Sequence, residues 1–175
     1  MKSRTQVGIV GAGPAGLMLS HLLARAGIDS VVLERRSRDY VEKRVRAGVL
    51  EQGTVNLMRD TGVGERLMRE GLIHRGVEMR FEGKGHRIAF DVLTGGSTIT
   101  VYGQQEVVKD LIAARIDAGA RLHFEVEDAS VHDIDSNAPS LHYTVNGERV
   151  ELECDFIAGC DGFHGISREA IPAEG

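Results

Sequence analysis

The segment 6–35 constrains the fold of this chain more strongly than any other. Its sequence, QVGIVGAGPAGLMLSHLLARAGIDSVVLER, begins and ends with short apolar runs typical of strands buried on both faces. Between them lie a glycine-rich turn, residues 11–16, that fits G-x-G-x-x-G, and an apolar helix pattern that Gly27 would end. The order strand, turn, helix, strand predicts a Rossmann-like α/β fold with a parallel sheet.

The glycines of this turn have distinct predicted roles. Gly11 would allow the tight turn, Gly13 would let a pyrophosphate approach the backbone, and Gly16 would let the helix pack against the sheet. Glu34 ends the second strand, where a carboxylate can accept hydrogen bonds from both hydroxyls of an adenosine ribose. The pattern predicts an adenine dinucleotide and fits FAD and NAD equally well. Glu34 argues against a 2′-phosphate on this adenosine, because two anions would meet.

Charge and composition narrow the partners. The formal net charge of −5 over 175 residues argues against nucleic acid as the main partner. We expect a cytoplasmic protein without a membrane partner, because no apolar run approaches spanning length and the N-terminus lacks a signal-peptide pattern. Cys154 and Cys160 are expected to be reduced thiols, and no metal-ligand spacing occurs in the sequence.

The rest of the chain alternates helix and strand patterns. Helices are predicted over 50–60, 65–70 and 105–118, and an antiparallel β-excursion over about 73–102, with strands at 73–81, 86–90 and 97–102. Further strands are predicted over 121–126, 131–134, 141–145, 150–154 and 156–159. We expect a three-stranded meander to cover one face of the main sheet and 156–159 to be a separate buried strand.

Two other segments allow alternative interpretations. Three arginines fall within positions 35–38, which fits either a solvated surface or a site for the 2′-phosphate of NADPH outside the main cleft. Asp161-Gly162 follows a strand, where α/β sheets bind ligands, but it equally fits a turn before a helix capped by Ser167.

Several separated motifs resemble the class A flavoprotein aromatic hydroxylases. They are GAGPAG with Glu34, then LERRSRDYVEKRVRAGVLEQG, TVYGQQEV and CDFIAGCDGFHGISREAIPAE. The resemblance implies FAD and NADPH as cofactors, and O₂ with a small aromatic compound as substrates. In that family NADPH reduces FAD, O₂ adds to give a flavin C4a-hydroperoxide, and its outer oxygen attacks the phenol ring. The reaction it implies here is hydroxylation of 4-hydroxybenzoate to 3,4-dihydroxybenzoate.

The resemblance also assigns site residues, none of them catalytic and none a metal ligand. Cofactor-binding residues would be Gly11, Gly13, Ala15, Gly16, Glu34, Arg35, Arg44, Val45, Arg46, Ala47, Gly48, Val49, Gln104, Asp161 and Gly162. Arg35 would meet NADPH together with Arg38, Tyr40, His164 and Arg168. Ala15 stands where the family often has serine, and Arg36 and Arg38 also depart from the pattern, which leaves the choice between NADPH and NADH open.

The implied domain organisation is one FAD-binding domain over 1–175, with the β-excursion inside it. The family's substrate domain and C-terminal part are not in this sequence, and the full-length protein is expected to be a homodimer. Two alternatives remain: a truncated, non-catalytic nucleotide-binding fragment and an NAD-dependent dehydrogenase domain. The dehydrogenase explains 11–34 equally well but leaves Asp161-Gly162 and the Arg44–Arg46 segment unexplained.

Overall fold

The computed structural model describes residues 1–172, so the last two residues of the fourth motif, Ala173 and Glu174, lie outside the described part. The helices are α1 (Pro14–Arg25), α2 (Arg38–Lys43), α3 (Gln52–Asp60), α4 (Glu65–Glu70), α5 (Phe90–Thr94), α6 (Gln104–Asp117) and α7 (Ile166–Glu169). The strands are β1 (Lys2–Val10), β2 (Ser30–Leu33), β3 (Val49–Glu51), β4 (Leu72–His74), β5 (Gly76–Phe81), β6 (Lys84–Ala89), β7 (Ile99–Val101), β8 (Arg121–His123), β9 (Glu127–His132), β10 (Ser140–Val145) and β11 (Glu148–Gly159). The described chain divides into two compact units: the first contains residues 1–44 and 111–172, and the second contains 45–110.

The first unit is built on a six-stranded sheet with the order β8-β2-β1-β11-β10-β9. Strands β8, β2, β1 and β11 run parallel, and β11, β10 and β9 form an antiparallel meander. Parallel strands place their carboxyl ends at one edge, and here Val10 pairs with both Leu33 and Gly159 at that edge. The predicted α/β fold with a parallel sheet and a meander is confirmed.

The meander packs on one face of the parallel strands. Leu141, Tyr143 and Val150 form one buried cluster with Val31 and Leu33 of β2. Successive side chains of a strand point to opposite faces. The neighbouring Ser30 accordingly contacts helix α1, where its Oγ lies 3.1 Å from the Oγ of Ser20. The meander therefore covers a face as predicted, although it remains hydrogen-bonded within the same sheet.

Strand β11 corrects two predictions. Segments 150–154 and 156–159 were expected as separate strands, but pairing with β1 continues from Thr5 opposite Cys154 to Val7 opposite Phe156, so they form one 12-residue strand. The second half was also expected to be buried, yet Phe156 is 72% exposed. Strand β10 pairs with β11 only as far as Glu153, so Phe156 lies beyond the meander.

The second unit contains two antiparallel sheets, β3-β7-β4 and β5-β6, which confirms the predicted β-excursion. The predicted strand 73–81 is wrong in its continuity. The chain passes from one sheet to the other at Arg75, whose carbonyl accepts hydrogen bonds from the amides of Phe90 and Asp91. Residues 90–94 form α5 instead of ending a strand, and β3 occupies the beginning of the helix predicted over 50–60.

Helix α6 confirms the predicted 105–118 helix and corrects its inner face. Leu111 and Ile112 are fully buried as expected, but Ile116 is 42% exposed. Arg115 is buried instead, and its Nε donates to Ser20 Oγ over 3.1 Å. Burial lowers the pKa of Arg115.

Other expectations concern thiols, metals and membranes. Cys154 and Cys160 are free thiols, as expected. Over residues 1–172, no group of three or more potential metal ligands comes together. None of the helices in the described part of the chain is both long and apolar enough to cross a bilayer.

Candidate functional site

The glycine-rich turn lies where three parallel strands end. The amide of Gly11 donates to the carbonyl of Leu33 over 2.7 Å, and the amide of Cys160 donates to that of Val10 over 2.8 Å. Gly11 has φ +106°, and a Cβ built on it would lie 2.5 Å from the Cys160 carbonyl oxygen. Both the backbone conformation and the close approach of the last strand therefore require glycine at this position. A Cβ on Gly16 would overlap the Gly11 carbonyl and lie 3.2 Å from the Cys160 Cβ, and both atoms directly follow sheet strands, so the start of α1 packs closely against this edge of the sheet.

Gly13 contrasts with Gly11, because nothing in the protein itself requires glycine there. Its φ of −75° and ψ of 178° suit any residue before a proline, and a Cβ built on it would meet no described atom within 4 Å. Among the described residues no side chain caps α1. The helical backbone bonds begin with the Leu17 amide, which donates to the Gly13 carbonyl at 3.0 Å, so the Ala15 and Gly16 amides precede the first of these bonds. An open surface at a helix N-terminus fits a phosphate.

Glu34 is fixed against this turn. Its Oε2 accepts a hydrogen bond from the Ala12 amide at 2.9 Å, and its Oε1 accepts one from the Arg36 amide at 2.8 Å. Its own amide donates to the carbonyl of His123 at 2.8 Å. Each carboxylate oxygen has a further lone pair, so Glu34 can still accept two hydroxyl donors.

Asp161 lies on the other side of the same turn. Its Cα would be 2.9 Å from a Cβ on Gly11, and its Oδ2 accepts a hydrogen bond from the Ser167 amide at 3.0 Å. The alternative in which Ser167 caps the following helix is not what the structure shows: Gly165 is the N-cap residue, and the Asp161 carboxylate accepts a hydrogen bond from the first turn of α7. The Ser167 hydroxyl is buried without a hydrogen-bond partner in the described structure. Asp161 and Gly162 are thus close to Gly11, as the sequence indicated.

The basic segment after Glu34 surrounds a tyrosine. The Tyr40 ring lies 5.1 Å from the guanidinium carbon of Arg36 and 5.7 Å from that of Arg44. Arg38 instead pairs with Glu42, its Nε 2.6 Å from a carboxylate oxygen. Arg36 belongs to the basic stretch 35–38 but was not among the residues assigned to NADPH, and it lies against Tyr40. The assigned residue Arg38 is paired with Glu42.

An aromatic side chain that the sequence analysis left without a role lies beside two predicted NADPH residues. The guanidinium carbon of Arg168 is 4.3 Å from the Phe163 ring centre, and the ring of His164 meets that ring edge-on with centres 5.0 Å apart. Phe163 is 72% exposed. Its position inside the quoted CDGFHGISR motif was the only sequence signal that could have identified it.

Arg35 is exposed in the first unit, and the predicted cofactor residues of 45–49 and Gln104 belong to the second unit. The Gln104 amide donates to the Ala47 carbonyl at 2.9 Å, and the Tyr102 amide donates to the Gly48 carbonyl at 2.8 Å. Two predicted segments that are far apart in the sequence are thereby brought together within this unit. The side chains of Val45, Arg46 and Val49 are exposed.

Comparisons with known proteins agree with this geometry. A sequence profile described as FAD binding domain matches residues 4–175. The p-hydroxybenzoate hydroxylase of Acinetobacter baylyi is 47% identical over 171 residues, which are 98% of this chain and 42% of that protein. The chain thus spans less than half the length of this curated relative.

Solved structures have the same fold. The p-nitrophenol 4-monooxygenase of Pseudomonas putida gives a TM-score of 0.83 at 19% identity, over 96% of this chain and 43% of that one. The anhydrotetracycline hydroxylase of Streptomyces rimosus gives 0.81 at 28% identity, over 95% and 33%. The resemblance to flavoprotein aromatic hydroxylases is confirmed, and the FAD-binding match rules against the NAD-dependent dehydrogenase alternative. This chain belongs to the FAD-binding domain family.

Proposed function

We propose that this chain is the FAD-binding part of an NADPH-dependent monooxygenase that hydroxylates 4-hydroxybenzoate to 3,4-dihydroxybenzoate. The observation that carries the proposal is the convergence of the open turn at Gly13, the carboxylate of Glu34 and the Asp161 segment at one sheet edge. The open turn suits the anionic pyrophosphate of a dinucleotide, Glu34 suits its ribose, and the Asp161 segment suits a further polar edge.

The chain's own residues would bind and orient the cofactor. The amides of Ala15 and Gly16 would donate to the pyrophosphate, and the Glu34 carboxylate would accept the ribose hydroxyls. Asp161 and Gly162 in the first unit, and the segment Arg44–Val49 with Gln104, are each proposed as cofactor contacts. When bound, FAD supplies the redox and oxygen chemistry, and the protein supplies position and electrostatics.

The substrate proposal rests on the 47% identical relative, whose name states p-hydroxybenzoate hydroxylase. The test uses a longer protein that contains this sequence and has FAD bound. We expect 4-hydroxybenzoate to stimulate NADPH oxidation and 3,4-dihydroxybenzoate to accumulate. Bound FAD without this product would contradict the substrate assignment and leave the FAD-binding assignment intact.

The proposal of NADPH rests on the basic residues near Tyr40. Arg36 and Arg44 both face that ring, so two cations lie together on a surface outside the glycine-rich turn. Arg35, Arg38, His164 and Arg168 are proposed as further contacts. A ratio of kcat/KM for NADPH over NADH above ten in the longer protein would support the assignment, and equal values would contradict it.

The exposed edge of β11 favours a second candidate, a nucleotide-binding part that is inactive by itself. Beyond the meander, residues 156–159 of β11 pair with β1 on one side only within the described chain, and Phe156 is largely exposed. We propose that 1–175 is a single FAD-binding domain. The substrate residues, the homodimer contacts and full activity are proposed to belong to a longer protein, and that protein is proposed to be cytoplasmic. A colourless preparation that takes up no added FAD would favour a fragment without cofactor binding.

A further inference from the structure

Four side chains in the second unit form a hydrogen-bonded polar cluster: Arg66, Tyr102, Glu106 and Asp110. Arg66 on α4 donates from Nε to Asp110 Oδ1 at 2.7 Å, and its other nitrogens bond the carboxylate and, at 3.0 Å, the backbone carbonyl of Glu106. Asp110 uses its second oxygen to accept the hydroxyl of Tyr102 at 2.6 Å. The Arg66 guanidinium carbon also lies 5.5 Å from the centre of the Tyr102 ring.

Three members of this cluster have shifted pKa values, and each shift favours the protonation state that the hydrogen bonds need. Burial and the hydrogen bond to Asp110 raise the pKa of Tyr102, so its hydroxyl stays a donor. For Arg66, burial opposes the charged form, but the hydrogen bonds to Glu106 and Asp110 outweigh it and raise the pKa. Hydrogen bonds from Lys109 and Arg66 lower the pKa of Glu106. Within the cluster the Tyr102 hydroxyl is therefore a hydrogen-bond donor and the Arg66 guanidinium is a cation.

The cluster connects helix α6, through Asp110, to the segment 102–104, which contacts the predicted cofactor residues Ala47 and Gly48. Tyr102 is the residue whose amide bonds the Gly48 carbonyl, and Gln104, two positions later, bonds Ala47. Gly103 between them adds no side chain that could hold the backbone. The tether from the Tyr102 hydroxyl to Asp110 on α6 therefore restricts the angle at which the helix leaves this strand.

We propose that Tyr102, Asp110 and Arg66 are positioning residues that hold Gln104 and the Ala47-Gly48 backbone in a cofactor-binding arrangement. The inference rests on the proposed function, because it takes Gln104 and 47–48 as cofactor contacts. None of the three residues needs to touch the cofactor.

The test compares Tyr102→Phe with Tyr143→Phe. Both changes remove one phenolic oxygen and keep the ring, and the two residues are equally buried, 5% and 4% exposed. Only Tyr102 belongs to the cluster. Hydrogen–deuterium exchange would be measured at the amides of Tyr102 and Gln104, and FAD affinity and the visible circular dichroism of bound flavin would be recorded for each variant.

We expect Tyr102→Phe, but not Tyr143→Phe, to speed exchange at both amides about tenfold, weaken FAD binding about tenfold and change the flavin dichroism. Wild-type exchange rates in Tyr102→Phe would overturn the inference. A wild-type chain that takes up no FAD would contradict the proposed function instead, and the exchange rates would still decide the positioning role. If Tyr102→Phe showed faster exchange but kept wild-type FAD affinity and flavin dichroism, the positioning inference would also be overturned.

Discussion

Replacing Gly13 with alanine separates ligand binding by the glycine-rich turn from its role in folding. The φ of −75° and ψ of 178° at Gly13 suit alanine before Pro14, and a Cβ there meets no described atom within 4 Å. Alanine is a slightly poorer N-cap residue than glycine, which destabilises the helix, but it also lowers the conformational entropy of the unfolded chain, which stabilises the fold. The two effects nearly cancel, so we expect the free energy of unfolding to change by less than about 1 kcal/mol.

The same methyl group would occupy the surface where the pyrophosphate is proposed to lie. Losing one hydrogen bond between an amide and a charged phosphate costs about 1.5–3 kcal/mol, so Gly13→Ala should weaken FAD binding roughly ten- to hundredfold. Urea denaturation measures the stability, and quenching of FAD fluorescence on titration measures the affinity.

Gly11→Ala is the matched control. Alanine at φ +106° costs about 1–2 kcal/mol, and its Cβ would lie 2.5 Å from the Cys160 carbonyl oxygen. That oxygen is a backbone atom directly after β11, and the Cys160 amide is held by its hydrogen bond to the Val10 carbonyl, so the oxygen cannot easily move away. We expect Gly11→Ala to destabilise the fold by more than about 2 kcal/mol. If Gly13→Ala bound FAD with wild-type affinity, the assignment of the open surface to the pyrophosphate would be refuted.

Three further predictions follow from single residues. Glu34→Gln leaves one of the Ala12 and Arg36 amides without its acceptor and removes a ribose partner, so FAD affinity should fall about tenfold in the same titration; unchanged affinity would contradict this role. Burial raises the pKa of Cys154 to about 11, so a thiol reagent at pH 8 should modify it only after unfolding, and rapid modification of the native chain would disprove its burial. Burial, with a smaller contribution from Arg121, lowers the pKa of His123, so the unfolded chain takes up this proton first as the pH falls below about 6.5. The stabilisation present above that pH should be lost on acidification, and His123→Gln should flatten the urea-denaturation profile between about pH 5 and 7; an unchanged slope would exclude His123 as its source.

Local patterns predicted those parts of the fold that depend on neighbouring residues. The G-x-G-x-x-G turn and α4, which occupies Glu65–Glu70 as predicted, needed only short-range signals. Partners distant in sequence decided the rest. Strand β11 continues through Asp155 because β1 pairs along it, and the chain leaves its sheet at Arg75 because the Phe90 amide bonds there.

The same limit applies to the candidate site. Glu34 was placed correctly because an acid at the end of the second strand must lie near the turn. The capping of α7 by Asp161 was missed, since it depends on a loop that returns six residues later to bring the Ser167 amide within 3.0 Å. Periodicity placed Ile116 inside, but Ser20 on α1 accepts a hydrogen bond from Arg115, and that contact decided the buried face.

Titration of the ¹⁵N-labelled chain with FAD tests the central claim most directly, because it reports each backbone amide separately. We predict that the amides of Gly13, Ala15, Gly16, Glu34 and Asp161 shift together and saturate at one FAD per chain. Saturable shifts confined to other residues, or FAD binding that leaves Gly13 and Asp161 unchanged, would contradict a shared dinucleotide site at this sheet edge.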